Sequence, residues 1–203
     1  MYIDLTRPFN GTMPVYPGDP LPSLLKIANC DVDGFEDHEL KSAMHVGTHM
    51  DAPAHMIAGG KKISEYGPEK FIGQAVLLNA AGLSEISEEI LSKADISQSD
   101  MVIIKTGWED KFFEPEYFAD YPGLTENFAK KLLGLGVSIL GLDTPSPDRS
   151  PYAVHKILLS GEVLIIENLT NLKRLPENKK FELIALPLKL ESNASFCRVV
   201  AKI

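Results

Sequence analysis

Six short apolar runs limit most tightly what this chain can fold into: Gln74–Leu78, Met101–Lys105, Val137–Leu142, Val163–Ile166, Leu183–Leu186 and Phe196–Val200. Each is too short for a typical helix, is partly β-branched, and reads as a buried strand. Helix candidates lie between them. Ser87–Lys93 opens with a capping serine and two acids. Leu124–Leu135 puts Phe128, Leu132 and Leu135 on one face, with Thr125 as a cap and Gly136 as a stop. Tyr152–Leu159, introduced by Ser150-Pro151 and ended by Gly161, predicts a short helix that carries His155. The first seventy residues hold Pro8, Pro14, Pro17, Pro20, Pro22, Pro53 and Pro68, so short strands and loops are expected there rather than long helices. The pattern predicts a mixed α/β chain with a loop-rich front, and the length predicts one domain over residues 1–203.

Composition removes several function classes. The net charge of −8 argues against a nucleic-acid surface, because phosphate binding needs clustered Lys and Arg. The basic doublets Lys61-Lys62, Lys130-Lys131 and Lys179-Lys180 read as solvated faces. Cys30 and Cys197 stand far apart with no CxxC, against a zinc ribbon or disulfide scaffold, and both read as small packing residues of a protein in a reducing compartment. No apolar run is long enough to span a bilayer, and Asp4 and Arg7 interrupt any signal-peptide core. A soluble, cytoplasmic protein is expected.

The stretch HVGTHMDAPAH, residues 45 to 55, holds three of the chain's five histidines and an aspartate. His45 and His49 have the i, i+4 spacing of a helical metal site, but Gly47 and Pro53 disfavour a regular helix and predict a turn or loop. Imidazole nitrogen with carboxylate oxygen is a common ligand set for zinc and related ions, so His45, His49 and Asp51 are candidate ligands. His55 is either a further ligand or a proton carrier, since an unperturbed imidazole titrates near pH ~6.5. His38, in the acidic stretch GFEDHEL, reads as structural. His155 on its short helix and Glu167 at the end of VLIIEN could supply further ligands, or could simply face water.

HVGTHMDAPAH resembles the HxGTHxDxPxH signature of the cyclase family, whose best-known members are bacterial kynurenine formamidases. Thr106–Trp108, Gly141–Asp148 and the opening IDLTRPFNGTMPVYPGD resemble further blocks of that family in the same order, so the likeness runs over nearly the whole chain. It implies an α/β fold around a barrel-like, swivelling β/β/α core, usually in homodimers or homotetramers. It implies two divalent ions per subunit, zinc first and manganese second: His45, His49 and Asp51 on one, His155 on the other, with Asp51 reaching and Glu167 bridging both. His55 would then be the proton donor and acceptor. Tyr16 falls where the formamidases typically have a tryptophan lining the substrate pocket, which implies a smaller and more polar pocket.

The implied chemistry is hydrolysis of a small amide: attack by metal-bound hydroxide, with His55 moving the proton to the leaving nitrogen. N-Formylkynurenine is the leading substrate, and tryptophan breakdown would follow from it. A cyclic amide of the isatin type or another small amide is the alternative, and a non-catalytic metal- or ligand-binding protein is the alternative from another class. A serine hydrolase fits poorly, since GxSxG is absent and Ser146 in TPSPD lacks the elbow's glycines. Asp143, Ser146 and Asp148 read as a loop shaping the pocket or as turn residues. Trp108 reads as either pocket wall or core.

Overall fold

The structure is a computed structural model that describes residues 1–203. Along the chain run β1 (Tyr2–Asp4), β2 (Ser23–Ala28), α1 (Cys30–Asp33), β3 (Asp37–Lys41), β4 (His49–Asp51), β5 (Ile72–Asn79), β6 (Glu85–Ile86), β7 (Met101–Lys105) and β8 (Gly123–Leu124). There follow α2 (Glu126–Gly134), β9 (Ile139–Leu142), α3 (Ala153–Ser160), β10 (Leu164–Glu167), β11 (Lys180–Pro187) and β12 (Ala194–Lys202). All six apolar runs of the sequence are strands.

Those six strands and β4 form a closed ring in the order β12, β11, β5, β7, β9, β10, β4 and back to β12. β5, β7, β9 and β10 run parallel, and the other pairings are antiparallel. The barrel is therefore mixed, and β1 pairs with the end of β12 that β4 leaves free, adding Ile3 to the interior. No helix is long and apolar enough to cross a membrane.

Alternation along each strand sorts side chains to two faces. Met50, Leu77, Ile103, Ile139, Ile166, Leu183 and Val199 fill the interior with their neighbours. Val76, Val102, Leu140, Leu142 and Ile165 face outward and are covered by Phe128 and Leu132 of α2 and Val154 and Leu158 of α3. Gly141 faces the interior, where an added Cβ would meet Ile103 Cδ1 at 2.6 Å and Leu169 Cδ1 at 2.9 Å. No larger residue fits there without moving the core.

Local expectations fare unevenly. Thr125 caps α2 by accepting from Phe128 N at 3.1 Å, and Gly136 follows the helix with φ +70. Ser87–Lys93 becomes a 3-10 segment, Glu88–Lys93, with no side-chain cap bond from Ser87. The start of α3 is a correction. Ser150-Pro151 does not cap it: Tyr152 sits in the left-handed region, and Asp148 Oδ2 accepts from Val154 N at 2.7 Å instead. Cys30 is a second correction, being exposed, whereas Cys197 is buried. The front part holds elements that sequence patterning did not delimit. The hairpin of β2 and β3 stands off the barrel as its own two-stranded sheet, with His38 exposed on it.

Candidate metal centre and active site

The site grows from strand register. In β4, His49 and Asp51 lie two residues apart and share a face, while Met50 between them enters the barrel. Antiparallel pairing puts Glu167 of β10 directly opposite His49. Three polar side chains thus emerge on the outer face of the barrel, all buried. Gly47, with φ +62 and a virtual Cβ only 2.7 Å from Met13 Cε, lets the chain turn from His45 into β4. After β4, a 3-10 turn at Pro53–His55 brings His55 back over the same face. The first turn of α3 delivers His155 from the opposite side.

The distances separate two clusters that share both carboxylates. On one side, Asp51 Oδ1 is 2.9 Å from His45 Nδ1 and 3.5 Å from His49 Nε2, and Glu167 Oε2 is 3.3 Å from His49 Nε2. On the other, His155 Nε2 lies 3.3 Å from Glu167 Oε1 and 3.8 Å from Asp51 Oδ2. Hydrogen bonds on the far ring edges set the tautomers. His49 Nδ1 donates to Gly47 O at 2.8 Å, and His155 Nδ1 donates to Asp148 Oδ1 at 2.5 Å. Each ring therefore turns its Nε2 toward the carboxylates, the outer arrangement typical of metal-binding histidines.

These residues fit a divalent cation. His49 Nε2 and both oxygens of Asp51 are buried and make no well-aligned hydrogen bond, the 2.9 Å approach of His45 Nδ1 to Asp51 Oδ1 being off-axis, and buried polar groups are rarely left so. Without an ion, protons hold the cluster together. Burial opposes a charge on His49, but Asp51 and Glu167 prevail and raise its pKa to about 9. Burial likewise opposes a charge on His155, and Asp148, Glu167 and Asp51 raise it to about 10. Burial disfavours the Asp51 anion, yet His45, His49 and His55 hold its pKa well below the usual carboxylate range. His55 differs: burial dominates and lowers its pKa, leaving the ring neutral at neutral pH. Ligand atoms of His45, Asp51 and His55 also lie within 4.8 Å of one another, so proximity alone does not separate His55 from the ligands.

A cavity of about 290 Å³ opens over the cluster, with His45, His55, His155 and Glu167 on its floor and Tyr16, Asp19, Phe118, Ser146 and Tyr152 among its walls. Tyr16 and Ser146 thus line the cavity. The Ser146 hydroxyl, however, donates to Asp148 O at 2.8 Å and is tied to the backbone. Trp108 is not brought to the cavity. Its indole N–H donates to Tyr117 O at 2.9 Å, and the ring packs beside Phe112 and Tyr117 with Lys111 over it. Asp143 is likewise structural: its buried carboxylate accepts from Thr106 N, Thr106 Oγ1 and Gly107 N and clamps the turn before Trp108. Two polar residues at the site escaped the sequence reading. Asp148 read as a pocket-loop or turn residue, not as a partner of His155, and its one signal for that role was its place seven residues before His155. Asn193, 3.1 Å from His45 Nε2 and 3.2 Å from His55 Nδ1, carried no signal.

Known proteins resemble this chain over nearly its whole length. The Cyclase family model matches residues 3–149, a span that holds the residue 45–55 motif and ends before His155 and Glu167. Kynurenine formamidase of Bacillus thuringiensis (strain Al Hakam) is 28% identical, over 99% of this chain and 97% of that protein. Among solved structures, a potential metal-dependent hydrolase with cyclase activity matches with a TM-score of 0.84 at 28% identity, over 99% of this chain and 96% of the other. Isatin hydrolase A from Labrenzia aggregata, bound to benzyl benzoate, shares the fold with a TM-score of 0.89 at 24% identity, over 99% and 93% of the two chains.

Proposed function

This chain belongs to the cyclase family, and on that footing we propose that it is a metal-dependent hydrolase of small amides, most specifically an arylformamidase acting on N-formylkynurenine. The observation that carries the reading is the set of unpartnered buried atoms, His49 Nε2 and both Asp51 oxygens, under an open cavity. His45, His49, Asp51 and Glu167 would hold one divalent ion, and Asp51, Glu167 and His155 a second. Zinc suits this donor set, and manganese is accepted by it too. Such ions lower the pKa of water and polarise a carbonyl, which is what amide hydrolysis at neutral pH needs.

The chain's own groups supply the rest. Asp51 and Glu167 would offset the positive charge of two close cations. His55, neutral and on the cavity floor, takes a proton from the attacking water and returns it to the leaving nitrogen. Tyr16 and Phe118, edge to face at 5.8 Å, form an aromatic wall for an aryl group. The cavity volume suits one aromatic ring with a small acyl group. A second reading keeps the site and changes the substrate to a cyclic amide of the isatin type, which the Tyr16 hydroxyl favours by making the wall more polar. Self-association into a homodimer or homotetramer is supported by the hairpin of β2 and β3, where Leu25, Ile27 and Phe35 are more than half exposed. Two free cysteines support a cytoplasmic location.

The test is a panel of N-formylkynurenine, isatin and simple formamides, run with metal-stripped and zinc-reloaded protein. Hydrolysis of N-formylkynurenine that disappears on chelation and returns with zinc is expected. Turnover confined to isatin transfers the assignment to the second reading. Hydrolysis unchanged after verified metal removal overturns the mechanism, and a zinc-loaded protein inert on the whole panel is the non-catalytic binding protein.

A further inference from the structure

Asn193 lies one residue before β12, in the turn that returns the chain from β11 to the site. Its backbone carbonyl accepts from Ala52 N at 2.9 Å, which pins it beside the end of β4. One atom of its side chain, Nδ2, lies 3.1 Å from His45 Nε2 and 3.2 Å from His55 Nδ1, and those two rings are 4.1 Å apart. Its Oδ1 faces away and accepts from Ser192 Oγ at 3.1 Å. A single carboxamide therefore links a proposed ligand to the proposed proton carrier.

The hydrogens follow from donor and acceptor inventory. An amide NH₂ with one N–H for each ring requires His45 to be bare at Nε2. The His45 hydrogen is then on Nδ1, facing Asp51 Oδ1 at 2.9 Å. It also requires His55 to be bare at Nδ1, with its hydrogen on Nε2, the nitrogen left for the cavity. Once Nδ1 of His45 is committed to a cation, the ring's one hydrogen must sit on Nε2, and an amide N–H can no longer be its partner. Turning the carboxamide over by about 180° presents Oδ1 instead, an acceptor with two lone pairs. That oxygen accepts from His45 Nε2–H and from His55 Nδ1–H together, and His55 then shows a bare Nε2 to the cavity. Neither ring gains or loses a hydrogen. In each, one N–H breaks and the other forms by exchange with water.

We infer that Asn193 is a positioning residue that couples cation binding at His45 to the choice of which His55 nitrogen carries hydrogen, so that His55 becomes a base toward the cavity when the site is loaded. This rests on the ligand reading of His45 given above.

The test is ¹⁵N NMR of the histidine rings, metal-free and zinc-loaded, in the wild type, Asn193→Leu and Asn193→Asp, with zinc affinity measured by chelator competition. In the wild type, His55 switches from the Nε2–H to the Nδ1–H tautomer on zinc loading. Asn193→Leu loses that switch and binds zinc roughly 10- to 100-fold more weakly, as expected for loss of an outer partner of a ligand. Asn193→Asp offers only acceptors, so His55 stays in the Nδ1–H form with or without zinc and zinc affinity is retained. If the leucine variant does not fold, the wild type and the aspartate variant decide the matter. A His55 tautomer that ignores zinc while His45 responds to it overturns the coupling alone. A His45 ring unmoved by zinc overturns the ligand reading and the coupling with it.

Discussion

Asp148→Asn separates what this aspartate does for the helix from what it does for the site. Oδ2 accepts from Val154 N at 2.7 Å and Oδ1 from His155 Nδ1 at 2.5 Å. An asparagine keeps one oxygen and gains an NH₂, so only one of the two donors retains its acceptor. A backbone N–H can only donate, whereas an imidazole can change tautomer. The remaining oxygen therefore stays on Val154 N, and the new NH₂ faces His155. That drives the His155 hydrogen from Nδ1 to Nε2, the nitrogen 3.3 Å from Glu167 Oε1 and aimed at the proposed ion. Loss of such a partner weakens metal binding by roughly 10- to 100-fold, which is about 1.4 to 2.7 kcal/mol. Urea unfolding of the metal-free protein at neutral pH should weaken by about 1 to 3 kcal/mol, because the cap survives but the charged His155 ring loses its carboxylate partner. Asp148→Ala should lose both: the same weakening of metal binding, and a further loss of about 1 to 3 kcal/mol from the buried donors left bare. Chelator competition measures the first effect and urea titration the second. Zinc affinity within twofold of wild type in both variants would falsify the role assigned to Asp148.

Three other outcomes follow from the geometry. His55→Ala should keep its full metal content while hydrolysis falls roughly 10²- to 10⁴-fold; a drop in bound metal by elemental analysis makes His55 a ligand instead. In the metal-free protein the raised values of His49 and His155, about 9 and about 10, contribute stability that is complete below the unfolded value near pH ~6.5 and is lost as pH rises through the folded values. The urea midpoint should therefore fall between pH 6.5 and 10, and a flat profile contradicts the proton-bridged cluster. Gly141→Ala places a methyl against Ile103 and Leu169 inside the barrel and should cost about 1 to 3 kcal/mol; thermal unfolding indistinguishable from wild type rejects that packing argument.

The sequence announces strands where burial makes them apolar. Met101–Lys105 is bounded as the apolar run predicts, and the other five are displaced by a few residues at their ends. β4 is invisible to the same reasoning, because its three residues are His49, Met50 and Asp51, two of them polar for the site's sake. Closure of the barrel could be anticipated from the family resemblance but not from hydrophobic patterning. The hairpin of β2 and β3 was hidden for the opposite reason, its apolar residues facing out in no regular alternation. Among the site residues, the histidine motif was legible because it is contiguous. Asp148 and Asn193 act on other residues' rings, and that role has no local pattern. The start of α3 was misread because Ser150-Pro151 has the composition of a helix start, while the cap bond comes from two residues further back.

The register of β4 makes assembly of the site an all-or-none test of folding. A slip of one residue in this strand would present Met50 to the cavity and drive His49 and Asp51 into the apolar interior. Such a chain would have neither a filled core nor a ligand set, and no partly active form lies between the two registers. Every molecule that can gather these side chains has already shut its barrel correctly, so in metal-saturated protein the active fraction is also a count of correctly folded chains.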